Sequence, residues 1–522
     1  MRKKKLFSLL LCAAMAAGLA AGCGLEKAPQ TAEENSNITE EKQEEEKVDT
    51  AGGQTGEDSG YSGQEPYTVR MLCTGDATAE ACERVAKAAS EITEAKFNTT
   101  IEITRVGFGS YAQQVRLLLS SNEKLDLVYA FRGDVTSAIS NGQFIAIDDV
   151  LEKEGQDILE TVLPSDWQCM TVNGQIYGVP NNKEHASGWG FGFNKKMADA
   201  IGYDYSNIKT EAELEPMLQA IKEAYPDVFP VVAEAGSIQS MVVPDDLGGD
   251  VGVLKSMTDG TLEVVNLYET QEYFDEIALR YDWAQKGLIM PDASTNTEGA
   301  YSLLQTEVGF GRFTNTKPGI ANELSKASGG MEIGIIELVE PYTSTTRVDC
   351  CWYIPRNCEQ PVRAMQILNE MYSNPELANL LTNGCEGIEW DFVDKEKGII
   401  NYPEGKDSSS TEYTSHPWAW PNECITYVWE GDDADVWEQM TQFNENALIS
   451  PAKGFTWDNS GVQTEAAAVA NVISKYGNAL LAGSLDPAVT IPQFIEELKD
   501  AGADTIIEEK QRQLDAWHEE NG

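Results

Sequence analysis

The sequence is 522 residues long and carries 85 acidic against 38 basic side chains, a formal net charge of -47. An acidic surface repels phosphate backbones, so we expect no nucleic-acid partner. The length predicts a large body of two or three packed units rather than one small domain.

The amino-terminal segment has the pattern of a secretory signal peptide. A basic start (Arg2 to Lys5) precedes an uncharged run from Leu6 to Ala21, which at roughly 16 residues is too short for an ordinary spanning helix. The small pair before Cys23 resembles the lipobox of bacterial lipoproteins. That resemblance implies a signal peptide over 1–22, and a Cys23 that carries fatty chains and anchors the protein to a membrane. The alternative is a plain secretory signal in which Cys23 stands by chance.

Residues 23–65 contain almost no apolar side chains and include the acidic block Glu40 to Glu46 and several glycines. Such a segment buries too little apolar surface to offset its chain entropy, so we predict a disordered acidic tether. The folded body then begins near residue 66.

The body begins with alternating strand and helix patterns. Strands are predicted over Tyr67 to Cys73, Ile101 to Val106 and Leu125 to Phe131, with amphipathic helices between them. We expect Asp76 to cap the first helix, and Ser110 with Gln113 to form a capping box on the second. This order predicts a parallel sheet covered on both faces, with ligands beyond the carboxyl ends of the strands. Those ends are Thr74 to Asp76, Phe108 to Tyr111, and Arg132 to Asp134.

A second group of elements follows. We predict a turn and short strand over Asn173 to Pro180, and a strand over Gly188 to Lys196 that ends at the helix cap Asn194. Thr210 and Glu213 predict a capping box, although Pro216 indicates that the helix itself begins later.

Several motifs in order carry a family resemblance. They are NGQIYGVP (Asn173 to Pro180), FGFNKKMADAIGYD (Phe191 to Asp204), GCEGIEWDF (Gly384 to Phe392), KGFTWD (Lys453 to Asp458), and the tail from Gln463 to Trp517. On these the chain resembles the extracellular solute-binding proteins of family 1, the receptor lipoproteins of bacterial ABC importers. It is most similar to the subgroup with a carboxyl-terminal domain of unassigned function.

The resemblance implies an α/β fold, a type II clamshell of two lobes like those of periplasmic binding proteins, with a hinge and extra carboxyl-terminal helices. We place the crossings between lobes near Asn181, Thr314 and Asn357. Lobe 1 is then 66–182 and 314–357, and lobe 2 is 183–313 and 358–522, with the family-specific region over about 450–522.

The resemblance also implies a function. A solute is expected to be captured in the cleft outside the cell, the lobes to close over it, and the transmembrane permease subunits to recognise the closed form. The ligand that we expect is a carbohydrate, an oligosaccharide, because of the aromatic side chains described next. We expect a monomer anchored on the extracellular face of the cell membrane, with no catalytic residues, no cofactor and no metal.

The candidate ligand contacts are aromatic and polar side chains. Several tryptophans stand beside polar residues, proline or glycine, and an aromatic ring matches the C–H face of a sugar; any one of them is otherwise a packed or surface aromatic. The polar candidates fall at predicted strand ends or crossings. The full set is Asp76, Tyr111, Arg132, Asn181, Glu184, Trp189, Arg312, Trp352, Trp390 and Trp418.

Two other classes stay open. A lipid-anchored glycoside hydrolase needs two carboxylates about 5 to 10 Å apart, and no sequence frame singles out such a pair. A surface sensor or binding lipoprotein for another polar solute or a peptide has the same sequence features. Eight cysteines follow Cys23 without a CxxC pair, which favours mostly buried thiols and leaves one or two disulfide bridges open.

Overall fold

The computed structural model describes residues 64–521 except 122, 250 and 409. The predicted signal peptide, Cys23 and nearly all of the tether lie outside these residues. Among the helices of the described part, none combines the length and apolar character that a membrane span requires.

Short and long strands alternate with helices along the described chain. The strands are β1 (Tyr67–Thr74), β2 (Thr99–Val106), β3 (Leu127–Phe131), β4 (Thr171–Val172), β5 (Gln175–Ile176), β6 (Gly178–Pro180), β7 (Ser187–Asn194), β8 (Phe229–Val231), β9 (Val253–Leu254), β10 (Val264–Val265), β11 (Gly309–Thr316), β12 (Ile333–Thr343), β13 (Cys350–Tyr353), β14 (Asp391–Asp394), β15 (Ile399–Asn401), β16 (Val428–Trp429) and β17 (Leu448–Ile449).

The helices are α1 (Ala79–Phe97), α2 (Phe108–Ser120), α3 (Arg132–Ser140), α4 (Asp148–Glu154), α5 (Gln156–Thr161), α6 (Pro164–Met170), α7 (Lys195–Ala200), α8 (Glu215–Ala224), α9 (Gln271–Gln285), α10 (Ala300–Gln305), α11 (Ile320–Ala327), α12 (Pro361–Ser373), α13 (Pro375–Asn383), α14 (Val436–Glu445), α15 (Gln463–Leu481), α16 (Pro487–Asp500) and α17 (Ala503–Asn521). Single 3₁₀ turns lie at Ala212–Leu214, Leu267–Glu269, Thr345–Arg347, Pro417–Ala419 and Glu423–Ile425.

The first sheet has the order β2-β1-β3-β13-β6. Strands β1, β2 and β3 are parallel, as the sequence predicts, and β13 joins them antiparallel from much later in the chain. Its core also takes side chains of α12 and α13, and then Tyr413 and Trp420. We call this sheet with its helices lobe 1.

The second sheet has the order β17-β12-β7-β11-β8 and forms lobe 2. The glycines of β7 allow close packing, because a Cβ on Gly190 would lie 2.1 Å from the Ile336 carbonyl oxygen. Asn194 caps α7 as predicted, since its side chain accepts a hydrogen bond from the Met197 amide.

The crossings between the sheets differ from two of the three predicted positions. The first lies at 181–186, between β6 and β7, as expected near Asn181. The predicted crossing near Thr314 is wrong, because β11 and β12 both pair with β7, and the chain returns to lobe 1 only at 344–349. The predicted crossing near Asn357 is also wrong, because α12, α13, Tyr413 and Trp420 pack in the lobe 1 core. The chain rejoins lobe 2 through α14 and β17.

The carboxyl-terminal helices pack on lobe 2. Helices α15, α16 and α17 share a core with Tyr268, Tyr273 and Ile277 of the α9 region, including Val469, Tyr476 and Leu480 of α15. Leu514 of α17 packs in a neighbouring core with Leu247 and Leu254.

Candidate functional site

Three aromatic side chains form a platform at the carboxyl ends of the lobe 1 strands. Phe108 begins α2 directly after β2, Phe131 ends β3, and Trp418 lies in the turn Pro417–Ala419. The Trp418 ring stacks on Phe108 at 5.5 Å and on Phe131 at 6.2 Å, with an interplanar angle of 24° in both pairs. Phe108 is 45% exposed. This aromatic platform therefore presents flat apolar surface where parallel sheets bind their ligands.

Buried aromatic residues support the platform from below. Tyr129 meets the edges of Phe131 and Trp418, and the Tyr111 hydroxyl donates to the Tyr129 carbonyl at 2.5 Å. The Trp352 indole donates to the Ala419 carbonyl at 3.1 Å and stacks on Trp420 at 5.6 Å. Tyr111 and Trp352, both predicted to contact ligand, are instead buried. Trp352 holds the turn that carries Trp418, and Tyr111 holds the strand that carries Tyr129.

Residues of the first crossing donate hydrogen bonds to the turn that carries Trp418 and to the residues that follow it. Asn181 is fully buried and its side-chain amide donates to the Trp418 carbonyl at 2.8 Å. The next residue, Asn182, donates its backbone amide to Pro421 at 2.7 Å and its side-chain amide to Asn422 at 2.9 Å. The platform turn is thus bonded to the segment that joins the lobes.

The platform has a polar rim. Asp76 is exposed beyond β1, and its carbonyl accepts the Thr414 amide at 3.0 Å. His416 meets the edge of Phe108 at 5.5 Å. Burial and the nearby Arg105 charge lower the pKa of His416 to about 4, so this imidazole is neutral at neutral pH. Among the predicted residues, the structure therefore brings Asp76 and Trp418 to one surface.

Four charged residues gather where the first crossing meets both lobes. Glu184 pairs with Lys183 at 3.0 Å and with Lys317, after β11, at 3.7 Å. Burial raises the pKa of Glu184, but the two lysines outweigh burial and lower it to about 2. Burial and then the Glu184 charge raise the pKa of Glu423, beside the platform turn, to about 8. Glu184, a predicted ligand residue, here belongs to this charged cluster.

The predicted residues of lobe 2 contact their own neighbours. Trp189 in β7 lies against Arg347 of the second crossing, whose guanidinium carbon is 5.7 Å from the indole centroid. Arg347 also donates to the Tyr342 hydroxyl at 2.9 Å. Arg312 in β11 pairs with Glu234 at 2.9 Å. Trp189 and Arg312 therefore both belong to the sheet of lobe 2.

The remaining two predicted residues have clear partners. Arg132 donates to the Cys169 carbonyl at 2.6 Å and to the Thr456 hydroxyl. Trp390 is 5% exposed, donates to the Gly384 carbonyl at 3.0 Å, and packs edge-on against Phe392 and Tyr427. Its surroundings are those of a core residue.

A cavity of about 560 Å³ lies in lobe 1 between α2 and α3, bounded by Tyr111, Arg116, Phe131, Gln143 and Arg356. It shares Phe131 with the platform. In the described part of the chain, no group of three or more His, Cys, Asp or Glu side chains is placed to hold a metal. The eight cysteines of that part are free thiols, and five of them are buried.

Sequence patterns identified the strand ends but not every side chain that matters there. Phe108 falls inside a predicted strand-end segment and Phe131 ends a predicted strand, but neither belongs to the predicted ligand set, whose aromatic members are Tyr111 and four tryptophans. His416, Glu423 and Arg347 lie in irregular segments with no periodic signal. Their position depends on contacts between residues far apart in the chain.

Three kinds of comparison place the chain among known proteins: a family model, a relative and solved structures. The family model described as "Domain of unknown function (DUF3502)" matches residues 451–519. A relative from Streptococcus pneumoniae serotype 4, named "Carbohydrate ABC transporter substrate-binding protein", is 28% identical over 467 residues, covering 87% of this chain and 92% of its own.

Solved structures of other proteins match this chain over both of its lobes. The N-glycan transport solute binding protein of Streptococcus pneumoniae is 27% identical, with a TM-score of 0.75 over 87% of this chain and 99% of that one. Its complex with Man5GlcNAc gives a TM-score of 0.61 over 88% and 100%. A solute-binding protein of Bifidobacterium longum infantis, described as binding HMO, shares the fold at 16% identity, with a TM-score of 0.62 over 87% and 99%. The two-lobed fold predicted from sequence is confirmed.

Proposed function

We propose that this chain, a member of the ABC-transporter solute-binding proteins with a carboxyl-terminal DUF3502 domain, captures an oligosaccharide between its lobes and delivers it to an importer. The observation that carries the proposal is the aromatic platform of Phe108, Phe131 and Trp418 at the carboxyl ends of the lobe 1 strands. Stacked rings offer a sugar its apolar contact, and the polar rim offers hydrogen bonds to its hydroxyls.

Closure of the lobes is the mechanism we propose. The relative's structure for which no ligand is named matches this chain with a TM-score of 0.75, against 0.65 and 0.61 for its complexes with Man1GlcNAc and Man5GlcNAc. The lobe arrangement described here thus resembles the first structure more than the complexes. An oligosaccharide that contacts both lobes favours the closed form only through its extra contacts in that form.

We propose that Trp189 and Arg347 supply the lobe 2 side of the site. Both lie beside the crossings, and their contact joins an indole to a guanidinium, which has donors suited to sugar hydroxyls. The ligand set we propose is therefore Asp76, Phe108, Phe131, Trp418, Trp189 and Arg347. Tyr111, Asn181 and Trp352 position the platform from beneath.

The membrane anchor belongs to the proposal as well. We propose that cleavage before Cys23 and its acylation hold a monomer on the extracellular face, with residues 23–65 as the tether. Mass spectrometry should find fatty chains on Cys23 as the amino-terminal residue of the mature protein and none on Cys23→Ser. Light scattering of the folded body without its tether should give the mass of one chain. A mature protein without fatty chains on Cys23 would contradict the lipid anchor.

A ligand screen tests the proposed function. Thermal-shift and calorimetric titrations compare neutral oligosaccharides containing mannose and N-acetylglucosamine with monosaccharides and with short peptides. We expect stabilisation by one or more of the oligosaccharides, with every glycan recovered intact. Stabilisation by peptides alone would contradict the carbohydrate ligand, and recovery of cleaved glycans would indicate a hydrolase.

A further inference from the structure

The DUF3502 match begins with a short segment that touches both lobes. We call Ser450 to Thr456 the arm; it follows β17 and leads into the carboxyl-terminal helices. On the lobe 2 side, the Ser450 amide donates to the Thr343 carbonyl at 2.9 Å and its hydroxyl to Asp245 at 2.5 Å. The arm therefore starts firmly attached to lobe 2.

The side chain of Lys453 connects the arm to lobe 1. Its side chain is almost fully buried, and its ammonium donates to the Asp166 carboxylate of α6 at 2.5 Å. The same ammonium donates to Ser165 at 3.1 Å and to Thr343, the last residue of β12, at 3.3 Å. One buried cation thus contacts a lobe 1 helix and the end of a lobe 2 strand.

The same cluster reaches both crossings near the hinge. The other oxygen of Asp166 lies 2.5 Å from Nδ1 of His185, in the first crossing. The Gly454 amide donates to the Thr345 hydroxyl, at the start of the second crossing, at 2.5 Å. Burial raises the pKa of Asp166, but His185 and Lys453 outweigh burial and lower it, so the carboxylate stays charged.

Packing leaves the arm little freedom. Gly454 has a φ of +104°, which favours glycine. A Cβ there would lie 3.1 Å from Gln168 of α6 and 3.2 Å from Trp517 of α17. The arm is therefore enclosed between lobe 1 and the last helix of the carboxyl-terminal domain.

We propose that the DUF3502 domain fixes the pivot of the two lobes, and that Lys453 is its positioning residue. The domain packs on lobe 2 through its helices and contacts lobe 1 through Lys453. Lys453 lies beside the two crossings, which are the segments about which we propose that the lobes turn. A buried ion pair with several partners suits this role, because in some proteins such pairs select one conformation rather than adding stability. The inference rests on the proposed function in assuming that the lobes move.

Single-molecule energy transfer tests the pivot without any ligand. Labels on encoded amino acids at Leu117 in α2 and Val489 in α16, which are 62% and 68% exposed, report the distance between the lobes. We expect a narrow distribution for the parent protein and a broader one for Lys453→Met, Asp166→Asn and Thr345→Val. The double variant Asp166→Asn/Lys453→Met should be no broader than either single one, because both remove the same contact.

The control stays within the carboxyl-terminal domain. Lys475→Met removes a surface pair with Glu497 at 2.7 Å and should leave the distribution narrow. Apparent affinity for the oligosaccharide should fall about fivefold or more in Lys453→Met, a common size for coupling between sites. A folded Lys453→Met protein with the parent distribution would overturn the proposal. If Lys453→Met does not fold, the same distance distribution is measured for Asp166→Asn/Lys453→Met, which removes both charges, and for Thr345→Val. Parent-like distributions for both would overturn the proposal.

The two proposals fail in different ways. Trp418→Ala should lose the oligosaccharide while keeping the narrow distribution. If no glycan binds the parent protein at all, the proposed function fails, and the distance measurement still decides the role of Lys453.

Discussion

The side-chain amide of Asn181 donates a hydrogen bond to the backbone carbonyl of Trp418, at 2.8 Å. One residue begins the first crossing between the lobes, and the other carries the central ring of the aromatic platform. This bond connects the aromatic platform to the first crossing between the lobes. Variants at either end should therefore change oligosaccharide binding.

Asn181→Leu should weaken oligosaccharide binding and lower stability. The Trp418 carbonyl loses its donor, and a buried unpaired carbonyl costs about 1–3 kcal/mol. Chemical unfolding and calorimetry measure the two effects. Asn401→Ala, at a surface hydrogen bond to Glu430, is the control and should change neither quantity by much.

Phe108→Ala should reduce oligosaccharide affinity about tenfold, about 1.4 kcal/mol, without destabilising the protein. Nearly half of the Phe108 side chain is exposed, so its removal costs little core packing. Phe274→Ala is the matched control, since Phe274 is 37% exposed on α9, away from the platform. Equal affinities for the two variants would remove Phe108 from the site.

Trp390→Ala should lower stability and leave oligosaccharide affinity nearly unchanged. Its indole is buried against Phe392 and Tyr427, and truncating a buried tryptophan costs about 3–5 kcal/mol. Urea unfolding should show this loss, while the fraction that remains folded binds oligosaccharide with nearly the parent affinity. A large loss of affinity at unchanged stability would return Trp390 to the ligand set.

Glu423 should make stability depend on pH. Its folded pKa of about 8 lies above the value of about 4.3 for an exposed glutamate, so its contribution is full below that lower value. The contribution is lost as the pH rises towards 8, because the unfolded chain ionises first.

Glu423→Gln should therefore gain stability relative to the parent protein between pH 5 and pH 8, measured by urea unfolding. Glu184 has the opposite sign, because its lowered pKa gives stability that is lost as the pH falls towards about 2. Glu445→Gln, at an exposed position on α14, is the control. A parallel pH profile for the Glu423→Gln and parent proteins would contradict this account.

Much of the local structure followed from short-range patterns. The apolar runs predicted β1, β2 and β3 to within two residues, and Asn194 caps α7 as expected. Pro216 lies in the first turn of α8, so the helix begins later than the Thr210–Glu213 pair, as its ring geometry requires. Two predicted caps are wrong: Thr78 rather than Asp76 caps α1, and α2 already begins at Phe108, so Ser110 and Gln113 lie inside the helix.

Long-range relationships could not be predicted in the same way. No local pattern in Gly309–Thr316 shows that this strand pairs with β7, so the sequence predicts the second crossing near Thr314 and not at 344–349, where the structure has it. The tryptophans posed the same difficulty. Trp352 and Trp418 are both ligand candidates from the sequence. In the structure, the Trp352 indole donates to a carbonyl inside the core, whereas Trp418 stacks on the half-exposed Phe108.

Small-angle scattering of the tether-free protein with and without an oligosaccharide tests the central claim most directly. The account predicts a smaller radius of gyration on adding the glycan, and no change for the Trp418→Ala variant at the same concentration. An unchanged radius in a parent protein saturated with bound oligosaccharide would contradict closure of the lobes over a captured sugar.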